Sequence, residues 1–375
     1  MSVNSLKKLK VCIIYNGAPH YRAGIFKLID EEFDCDWFIG QGYGGIKQLP
    51  LPFFKKAYLQ KVSYLIGALC WQKGEVRKLL SREYDIILAF ANIPHISTWI
   101  GMLLHNIFNR STKVYFWSHG MLRQRKWPRS LFDKLFFCLP YATFTYGDRA
   151  RELMISEGLN SDRLFAIHNS LDYDEQLKHR VNLHDAKVYV EHFGNNLPVI
   201  IFIGRLVKDK QLCMILDANK ILKDKGMPFN VVFIGEGEDM DYLEMKTKEL
   251  NLGNNVWFYG ACYEETQLSL LIYNADLCVS PGPVGLTVMH AMVYGCPVIT
   301  NDNFGTHGPE FEAIKDGITG CFFKNRDVND LVNKILQWFN DGIDRELIRK
   351  NCYEEIDTNW NPYFQIQILK RYLNK

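Results

Sequence analysis

Short apolar runs alternate with segments of helical pattern along the whole of this 375-residue sequence. Strands and helices that alternate in this way predict parallel sheets covered by helices on both faces, so the predicted fold class is α/β. The predicted strands lie at 11–15, 35–39, 85–90, 113–117, 143–146, 164–168, 199–203, 230–234, 256–259, 277–280 and 297–300. The helical patterns lie at 21–31, 149–157, 211–225, 242–252 and 286–294.

The length predicts two domains, at about 150 residues for each. A polar stretch at 172–197, which ends in the turn sequence GNNLP, separates two series of predicted strands. We therefore predict two tandem doubly wound, Rossmann-like domains over 1–180 and 190–355, with a cleft between them. Residues 356–375 form a predicted C-terminal helix. The sequence leaves open whether this helix crosses back to the first domain.

The composition excludes several classes of protein. With 47% hydrophobic and 23% charged residues, the chain is neither disordered, collagen-like nor a coiled coil. A net charge of +2 is too small for a polycation that binds nucleic acid, so no nucleic-acid partner is expected. The 10 cysteines have no C-x-x-C spacing, and most lie in apolar runs. This predicts buried thiols in a reducing cytoplasm, without a zinc site or a disulfide framework.

The chain contains no predicted targeting or membrane-spanning segment. The basic N-terminus is followed by a five-residue apolar run, VCIIY, which is too short for a signal peptide. The apolar stretches at 96–108 and 131–144 are interrupted or shorter than the about 20 residues that span a bilayer. We expect a cytoplasmic protein, peripheral on the inner face of the membrane.

The segment YNGAPHYR at 15–22 follows the first predicted strand and opens the first predicted helix. Gly17 allows a tight turn there, and the start of the helix offers free N–H groups to an anion. His20 and Arg22 are either ligand-binding residues or solvated residues of the first helical turn. The sequence leaves both interpretations open.

The segment FIGRLVKDKQ at 202–211 carries two cations, Arg205 and Lys210, at the carboxyl end of a predicted strand. Such a pair suits a diphosphate, which arginine can grip through two hydrogen bonds and lysine as a point charge. A solvated basic turn balanced by Asp209 is the alternative interpretation.

A predicted strand, a Pro/Gly loop and a helix start follow one another at 280–300. Gly285, Leu286 and Thr287 would offer backbone N–H groups to an anion at the start of this helix. His290 lies one turn further on, where an isolated histidine is more often a core or surface residue than a ligand.

Acidic residues provide weaker signals. Glu310 and Glu312 lie in a loop, where paired carboxylates are more often solvated than catalytic. Asp172 and Asp174 form a D-x-D pattern, which holds a divalent metal in some transferases, but here it trails a turn at the end of the first domain. We therefore expect no metal and no cofactor.

Together these segments resemble the family-4 glycosyltransferases, which have the GT-B fold and retain the anomeric configuration. GRLVKDK is similar to the family's G-R-L-x-x-x-K element, which implies that Arg205 and Lys210 hold the donor diphosphate. FIGEGED resembles a G-x-G strand end, which implies that Gly235 and Gly237 lie near the nucleotide base.

Further segments extend the resemblance over almost the whole chain. WSHG resembles an H-G element that follows a strand of the first domain, which implies that His119 lies under the transferring sugar. HNSLD at 168–172 resembles the N-G-x-D turn that closes the first domain. EAIKDG resembles the E-x-I-x-D-G segment, which implies a donor-binding role for Glu312.

The chain departs from the family at two positions. The family carries two glutamates eight residues apart, of which the first touches the sugar and the second the ribose, and here these positions are Gly282 and His290. A subgroup of bacterial surface-polysaccharide transferases has a similar P-G-x-V-G-L-T-x-x-H pattern. A histidine can still hydrogen-bond a ribose hydroxyl, because imidazole offers a donor and an acceptor.

The resemblance implies a retaining hexosyltransferase that moves a sugar from a nucleotide diphosphate sugar to a saccharide acceptor in capsule or O-antigen type polysaccharide synthesis. A sugar-nucleotide epimerase of the same fold and a non-catalytic binding protein that has lost its glutamates are the alternatives. The base, the sugar and the acceptor are not specified by the sequence.

The segment MLRQRKWPRSLFDKLFFCLP at 121–140 mixes cations with aromatic residues, and the stretch 52–71 repeats the mixture. Basic residues beside aromatic ones suit an anionic membrane surface, at about 1 kcal/mol for each charge near it. The alternative is that the aromatic residues pack into the domain and the cations are ordinary surface. The first interpretation predicts a lipid-linked saccharide acceptor and a membrane-facing set of cations: Arg123, Arg125, Lys126 and Arg129.

Overall fold

The structure, a computed structural model, describes residues 8–42, 46–340, 342 and 344–374. The chain forms two compact units. The first unit comprises Met1–Asp172 with Asn361–Lys375, and the second comprises Tyr173–Trp360.

The described part of the first unit is built on a seven-stranded parallel sheet of order β3-β2-β1-β6-β7-β8-β9, with β4 and β5 forming a separate antiparallel pair. Its strands are β1 (Lys10–Tyr15), β2 (Asp34–Gly40), β3 (Ala57–Gln60), β4 (Val62–Tyr64), β5 (Cys70–Gln72), β6 (Ile86–Phe90), β7 (Lys113–Ser118), β8 (Ala142–Thr145) and β9 (Leu164–Ala166). Its helices before the second unit are α1 (Ala23–Glu32), α2 (Glu75–Leu79), α3 (Ile96–Phe108), α4 (Arg129–Cys138) and α5 (Asp148–Ser156).

The described part of the second unit is built on a six-stranded parallel sheet of order β12-β11-β10-β13-β14-β15. Its strands are β10 (Val199–Ile203), β11 (Asn230–Ile234), β12 (Val256–Gly260), β13 (Leu277–Ser280), β14 (Val298–Asn301) and β15 (Gly320–Phe323). The helices from Tyr173 to the end of the chain are α6 (Tyr173–Arg180), α7 (Val188–Phe193), α8 (Cys213–Asp224), α9 (Met240–Glu249), α10 (Glu265–Asn274), α11 (Leu286–Val293), α12 (Val328–Asn340), α13 (Arg345–Asn359) and α14 (Pro362–Leu373).

Both faces of the first sheet are buried, as its parallel strands require. Side chains along a strand alternate between faces, so Val11 and Ile13 belong to one cluster and Cys12 and Ile14 to the other. The first cluster includes residues of α1 and α14, and the second includes residues of α3, α4 and α5. The predicted pair of doubly wound parallel-sheet domains is confirmed.

The division between the units differs from the predicted one. The prediction assigned 173–180 to the first domain, but α6 packs against α10 of the second unit. Tyr173 donates a hydrogen bond to Asp357, and Arg180 pairs with the same carboxylate at 2.7 Å. Asn361 caps α14 through a hydrogen bond from Phe364 N, and α14 packs against α1 of the first unit.

All ten cysteines are free thiols, and seven of them are buried. Burial raises the pKa of several of them, among them Cys278, whose pKa rises to about 12. Within the described residues, no helix is long and apolar enough to cross a membrane.

Candidate functional site

A pocket of about 950 Å³ lies at the carboxyl ends of the strands of the second sheet. We call it the basic pocket, because its lining includes three cations and two acids. It is lined by Arg205, Val207, Lys208, Asp209, Gln211, Glu238, Pro283, Asn301, Asn303, Thr306, Asn325 and Arg326. These residues follow β10, β11, β13, β14 and β15, so five strand ends contribute to one cavity.

The strand order explains the position of the basic pocket. The chain leaves β10 toward β11 on one side and later returns to place β13 on the other side. Loops after two such strands diverge and leave a crevice, where open α/β sheets bind their ligands. Arg205 follows β10 and Pro283 follows β13, so both lie at this switch point.

Arg205 and Lys210, the two predicted diphosphate ligands, are placed differently. Arg205 is exposed and lines the basic pocket, and its guanidinium forms no hydrogen bond or ion pair with another described residue. Lys210 is half-buried, and its ammonium donates to the carbonyl of Pro283 in the pocket lining. Burial lowers the pKa of Lys210, and the nearby Arg205 charge lowers it further, while Asp209 opposes the shift.

Gly235 and Gly237 lie where the turn after β11 passes against the turn after β10. A methyl group on Gly235 would lie 1.9 Å from the carbonyl oxygen of Gly204, and one on Gly237 would lie 2.1 Å from that of Leu206. No side chain fits at such distances, so the two backbones can approach only because both residues are glycine. Neither glycine lines the basic pocket, and a contact with the nucleotide base stays a prediction.

Gly282, at the position of the family's first glutamate, has no room for any side chain. A methyl group there would lie 2.2 Å from the carbonyl oxygen of Asp209 and 2.5 Å from the Cα of Lys210. Gly282 N also donates to the Lys210 carbonyl at 2.8 Å. The missing glutamate is therefore a consequence of how closely the 281–285 loop packs on the turn that carries Lys210.

His307, which sequence reasoning did not select, holds the 281–285 loop in place. Its Nδ1 accepts a hydrogen bond from Val284 N at 2.9 Å, so Nδ1 carries no proton. Its Nε2 lies 2.9 Å from the carbonyl of Asn301, to which it must then donate. Burial lowers the pKa of His307, which favours this neutral form. The T-H-G-P sequence in the loop that follows the predicted strand at 297–300 was the available signal.

Asn301 anchors the other side of the same loop. Its side-chain amide donates to the carbonyls of Pro281 and Gly282, at 2.8 and 3.2 Å. Asn301 also lines the basic pocket, as do Asn325 and Arg326 beyond the unpredicted strand β15. Sequence reasoning missed Asn325 and Arg326 because it recognised no strand at 320–323, and it passed over Asn301 although this residue directly follows the predicted strand at 297–300.

Gly285, Leu286 and Thr287 do form the start of a helix, α11, as predicted. Thr287 donates its hydroxyl to the carbonyl of Ile203 at 2.8 Å, which ties the helix start to the end of β10. None of these residues lines the basic pocket, and neither does His290, which is half-buried one turn further on.

The two downstream glutamates have different environments. Glu312 is half-buried and does not line the basic pocket. Glu310 is buried, and a methyl group on Gly285 would lie 3.7 Å from its Oε2 atom. The expectation that both are solvated loop residues is therefore wrong for Glu310. The carboxylate of Glu310 already lies beside the start of α11 and would repel a phosphate there. Cations would therefore hold a phosphate in the second unit better than this helix start.

A second pocket, of about 210 Å³, lies at the corresponding switch point of the first sheet, between β1 and β6. We call it the aromatic pocket, after the rings of Tyr15, Tyr21, Phe90 and Tyr146 in its lining. The remaining lining residues are Asn16, Gly17, Pro19, Arg22, Gly42, Ile46, Gln48, His119 and Asn169. The predicted residues Gly17 and His119 therefore lie at one cavity.

His119 packs between two rings of the aromatic pocket. Its ring lies 4.7 Å from that of Tyr146 and 6.4 Å from that of Phe90, measured between centroids. Although part of the side chain reaches the surface, the loss of water around the ring and the Arg22 charge lower the pKa of His119 to about 4. At neutral pH the imidazole is therefore uncharged and can both donate and accept hydrogen bonds.

Of the two cationic candidates near Gly17, His20 is exposed, and its Nδ1 lies 3.2 Å from the carbonyl of Lys47. Arg22 is only 3% exposed, so the interpretation as a solvated residue of the first helical turn is wrong for it. The reason is local: a short 3-10 turn at His20–Arg22 precedes α1 and directs this side chain into the core.

The four predicted membrane-facing cations, Arg123, Arg125, Lys126 and Arg129, are all exposed. Arg125 also pairs with the buried Asp133 at 3.1 Å. The apolar residues of this segment divide between surface and core. Trp127, Leu131, Phe132 and Leu135 are exposed, whereas Phe136 and Phe137 are buried. The alternative interpretation, in which the aromatic residues pack into the domain, therefore holds for Phe136 and Phe137 but not for Trp127 and Phe132.

Comparison with known proteins agrees with this architecture. Residues 187–355 match the family model described as glycosyl transferases group 1. Over 230 residues the chain is 27% identical to poly(ribitol-phosphate) alpha-N-acetylglucosaminyltransferase of Staphylococcus aureus (strain COL), covering 60% of this chain and 42% of that protein. Over 208 residues it is 27% identical to the sulfoquinovosyl transferase SQD2 of Arabidopsis thaliana, covering 54% and 39%.

Among solved structures, Alr3699/HepE of Anabaena in complex with UDP superposes with a TM-score of 0.73 and 17% identity, covering 98% of this chain and 100% of that one. The fold is therefore GT-B, and the family match supports a glycosyltransferase of group 1. The chain spans about two fifths of the length of the two curated relatives.

Proposed function

We propose that this protein is a retaining glycosyltransferase that moves a sugar from a nucleotide diphosphate sugar to a saccharide acceptor. The observation that carries the proposal is the basic pocket, where five strand ends bring Arg205, Lys208 and Arg326 to one crevice. Cations that converge at a switch point of a doubly wound sheet suit the diphosphate of a nucleotide. The family match over 187–355 covers every residue of this pocket.

The proposed reaction breaks the bond between the anomeric carbon of the sugar and the diphosphate oxygen. Negative charge then grows on the departing diphosphate, and Arg205 and Lys210 oppose it where it develops. The acceptor hydroxyl oxygen forms the new bond to the anomeric carbon on the same face. Its proton passes to the departing phosphate oxygen, so the products are the glycosylated acceptor and a nucleoside diphosphate.

We assign the binding of a substrate sugar to the aromatic pocket of the first unit. The neutral imidazole of His119 and the amide of Asn169 would hydrogen-bond sugar hydroxyls in the aromatic pocket. No role as a general base is needed from His119, because the departing phosphate takes the proton.

An apolar surface of the first unit supports a lipid-linked acceptor. Helix α3 exposes Ile107 and Phe108, at 67% and 63%, in addition to the exposed part of α4. The two helices are neighbours, because the Trp99 and Phe136 rings lie 4.9 Å apart. The β4–β5 hairpin packs against α3 and exposes Ile66 at 80%. Apolar surface next to exposed cations suits the interface of an anionic membrane.

Incubation with radiolabelled nucleotide sugars and a panel of saccharide acceptors tests the activity. Release of nucleoside diphosphate that requires an acceptor is expected. Interconversion of the donors without an acceptor would identify an epimerase instead, and saturable binding without turnover would identify a binding protein. The anomeric configuration of the product, read by NMR, decides whether transfer retains it.

Flotation with anionic liposomes tests the membrane surface. Binding at low salt is expected to weaken as salt rises, and to weaken when Arg123, Arg125, Lys126 and Arg129 are replaced by serine. A matched control replaces four exposed lysines of the second unit by serine: Lys187, Lys225, Lys248 and Lys350. If the wild type ignores anionic liposomes at low salt, a soluble acceptor becomes the better interpretation.

A further inference from the structure

Arg22 is a buried cation surrounded by aromatic rings. The centre of its guanidinium lies 4.5 Å from the Trp117 ring centroid and 5.0 Å from that of Tyr146. Its Nη1 donates to the hydroxyl of Tyr15 at 2.7 Å and also to that of Tyr146. Phenol oxygens and ring faces attract the charge but do not neutralise it, and burial raises the pKa of Tyr15, so that this phenol stays uncharged.

The two remaining nitrogens of Arg22, Nε and Nη2, are buried and have no hydrogen-bond partner among the described residues. They lie on the same edge of the planar guanidinium, where their N–H groups are parallel. This edge matches the two oxygens of a carboxylate or a phosphate. A buried donor without a partner is destabilising, and more so when it is charged, so an oxyanion is the natural complement of this edge.

Among the residues that the structure describes, the surroundings of Arg22 contain no such oxyanion. Among the described lining residues of the aromatic pocket none is acidic, and in the described part of the chain no carboxylate lies within 4.0 Å of Arg22. The same pocket contains Gln48, whose Oε1 atom is buried and also lacks a partner. A cation and an unpaired hydrogen-bond acceptor atom in a cavity of about 210 Å³ suit a small ligand group that carries both an oxyanion and a hydroxyl.

We propose that the aromatic pocket binds the anionic group, carboxylate or phosphate, of a saccharide substrate through the Nε and Nη2 edge of Arg22. The proposal rests on the proposed function for the nature of the substrate, and it narrows that substrate to an acidic or phosphorylated sugar. The anionic sugar belongs either to the acceptor or to the donor, since the chemistry of recognition is the same for both.

NMR of the arginine Nε–H groups in the full ¹⁵N-labelled chain tests the proposal directly. The Arg22 signal is the one that disappears in Arg22→Lys, which keeps the positive charge. D-glucuronate and D-glucose 6-phosphate serve as probes, with neutral D-glucose as the control. We expect at least one anion to shift the Arg22 signal saturably and glucose to leave it unchanged.

The proposal is overturned if neither anion moves the Arg22 signal, or if glucose moves it as much as they do. If Arg22→Lys does not fold, Tyr146→Phe identifies the signal instead, because it removes one hydrogen bond to the guanidinium. If D-glucose 6-phosphate binds only in the basic pocket, the Arg22 signal does not shift. This result counts against the proposal.

A second arm distinguishes the two sources of the anion. If the donor sugar carries it, wild-type protein binds UDP-glucuronate at least 10-fold more tightly than UDP-glucose, and Arg22→Lys abolishes this preference. If the acceptor carries it, the free anions still shift the Arg22 signal with UDP bound at saturation, and the donor preference is absent. If none of UDP, GDP, ADP and dTDP binds to the wild type or to the variant, the proposed function is refuted, while the free anions still decide the question of Arg22.

Discussion

The basic pocket and the aromatic pocket lie at equivalent places in their sheets, beside the strand where the order reverses, but they present charge in opposite ways. The basic pocket carries exposed cations on loops, and the Arg205 guanidinium has no hydrogen bond or ion pair with another described residue. The aromatic pocket carries Arg22 buried under rings. The topology therefore provides the crevice in both units, and the side chains decide what it can bind.

The difference in burial has an energetic meaning. A cation on an exposed loop is already hydrated, so its attraction for a ligand is screened and needs several partners to become strong. A buried cation has already lost its water when the protein folds, so the ligand meets an unsatisfied donor. We expect the basic pocket to depend on several cations acting together and the aromatic pocket to depend on one.

The largest expected effect tests the basic pocket. Arg205→Ala and Lys210→Ala should each cost about 2–4 kcal/mol of transition-state stabilisation, roughly 30- to 1,000-fold in kcat/KM. The double variant should lose less than the sum, because both residues act on one group. Lys220→Ala, on α8 outside the pocket, is the matched control. Near-native turnover of a folded single variant would remove that residue from the diphosphate site.

The next effect tests the close packing behind the basic pocket. Gly282→Ala should destabilise the protein by about 1–3 kcal/mol, because a methyl group would overlap the backbone of Asp209 and Lys210. Gly282→Glu, which restores the family's residue, should cost at least as much and should not increase activity. Gly253→Ala is the control, since nothing lies within 4 Å of a methyl group there. Equal free energies of unfolding for Gly282→Ala and Gly253→Ala, measured in urea, would contradict this account.

A smaller effect tests the aromatic pocket through its neutral histidine. His119→Ala should lower turnover by about 10-fold, the equivalent of one hydrogen bond of roughly 1.4 kcal/mol, with little change in Tm. A loss of Tm without a loss of turnover would instead make His119 a turn residue. Both quantities are measured on the same preparation.

The lowered pKa of His119 also predicts a pH dependence of stability. The folded pKa of about 4 lies below the unfolded value of about 6.5, so the unfolded chain binds more protons between them. Wild-type stability should therefore fall as pH decreases from 6.5 toward 4, and His119→Gln should lose less over the same range. Urea midpoints at several pH values measure this, and parallel curves for the two proteins would contradict it.

For metal removal we expect no effect on turnover. This test distinguishes a diphosphate held by protein cations from one held by a divalent metal. Turnover should survive EDTA, because in the proposed function Arg205 and Lys210 do for the diphosphate what a divalent metal would otherwise do. A complete loss of activity that Mn²⁺ or Mg²⁺ restores would revive the alternative site at Asp172 and Asp174.

Most of the fold was predictable because it is encoded in local periodicity. The predicted strands at 11–15, 199–203, 230–234 and 277–280 lie within or coincide with β1, β10, β11 and β13. The missed strands are short. β3 and β4 contain no fully buried residue, and β15, although apolar, has four residues and begins at a glycine. Such strands are stabilised by their neighbours in the sheet more than by their own pattern.

The candidate site was predictable only in part. Arg205, Lys210, Gly17 and His119 follow strand ends, and a strand end is visible in the sequence. Arg326 follows a strand that the pattern did not reveal, and His307 acts through contacts with Val284 and Asn301 that no local pattern encodes.

Local periodicity is enough to encode the alternation of strands and helices, and with it two parallel sheets. The burial of particular side chains and the contacts between backbones depend on the folded structure. It buried Arg22 among aromatic rings, and it brought Gly282 against the turn of Lys210. The physical reason is that periodicity reports how one segment meets the core, whereas burial of a charge or loss of a side chain depends on segments far apart in the chain.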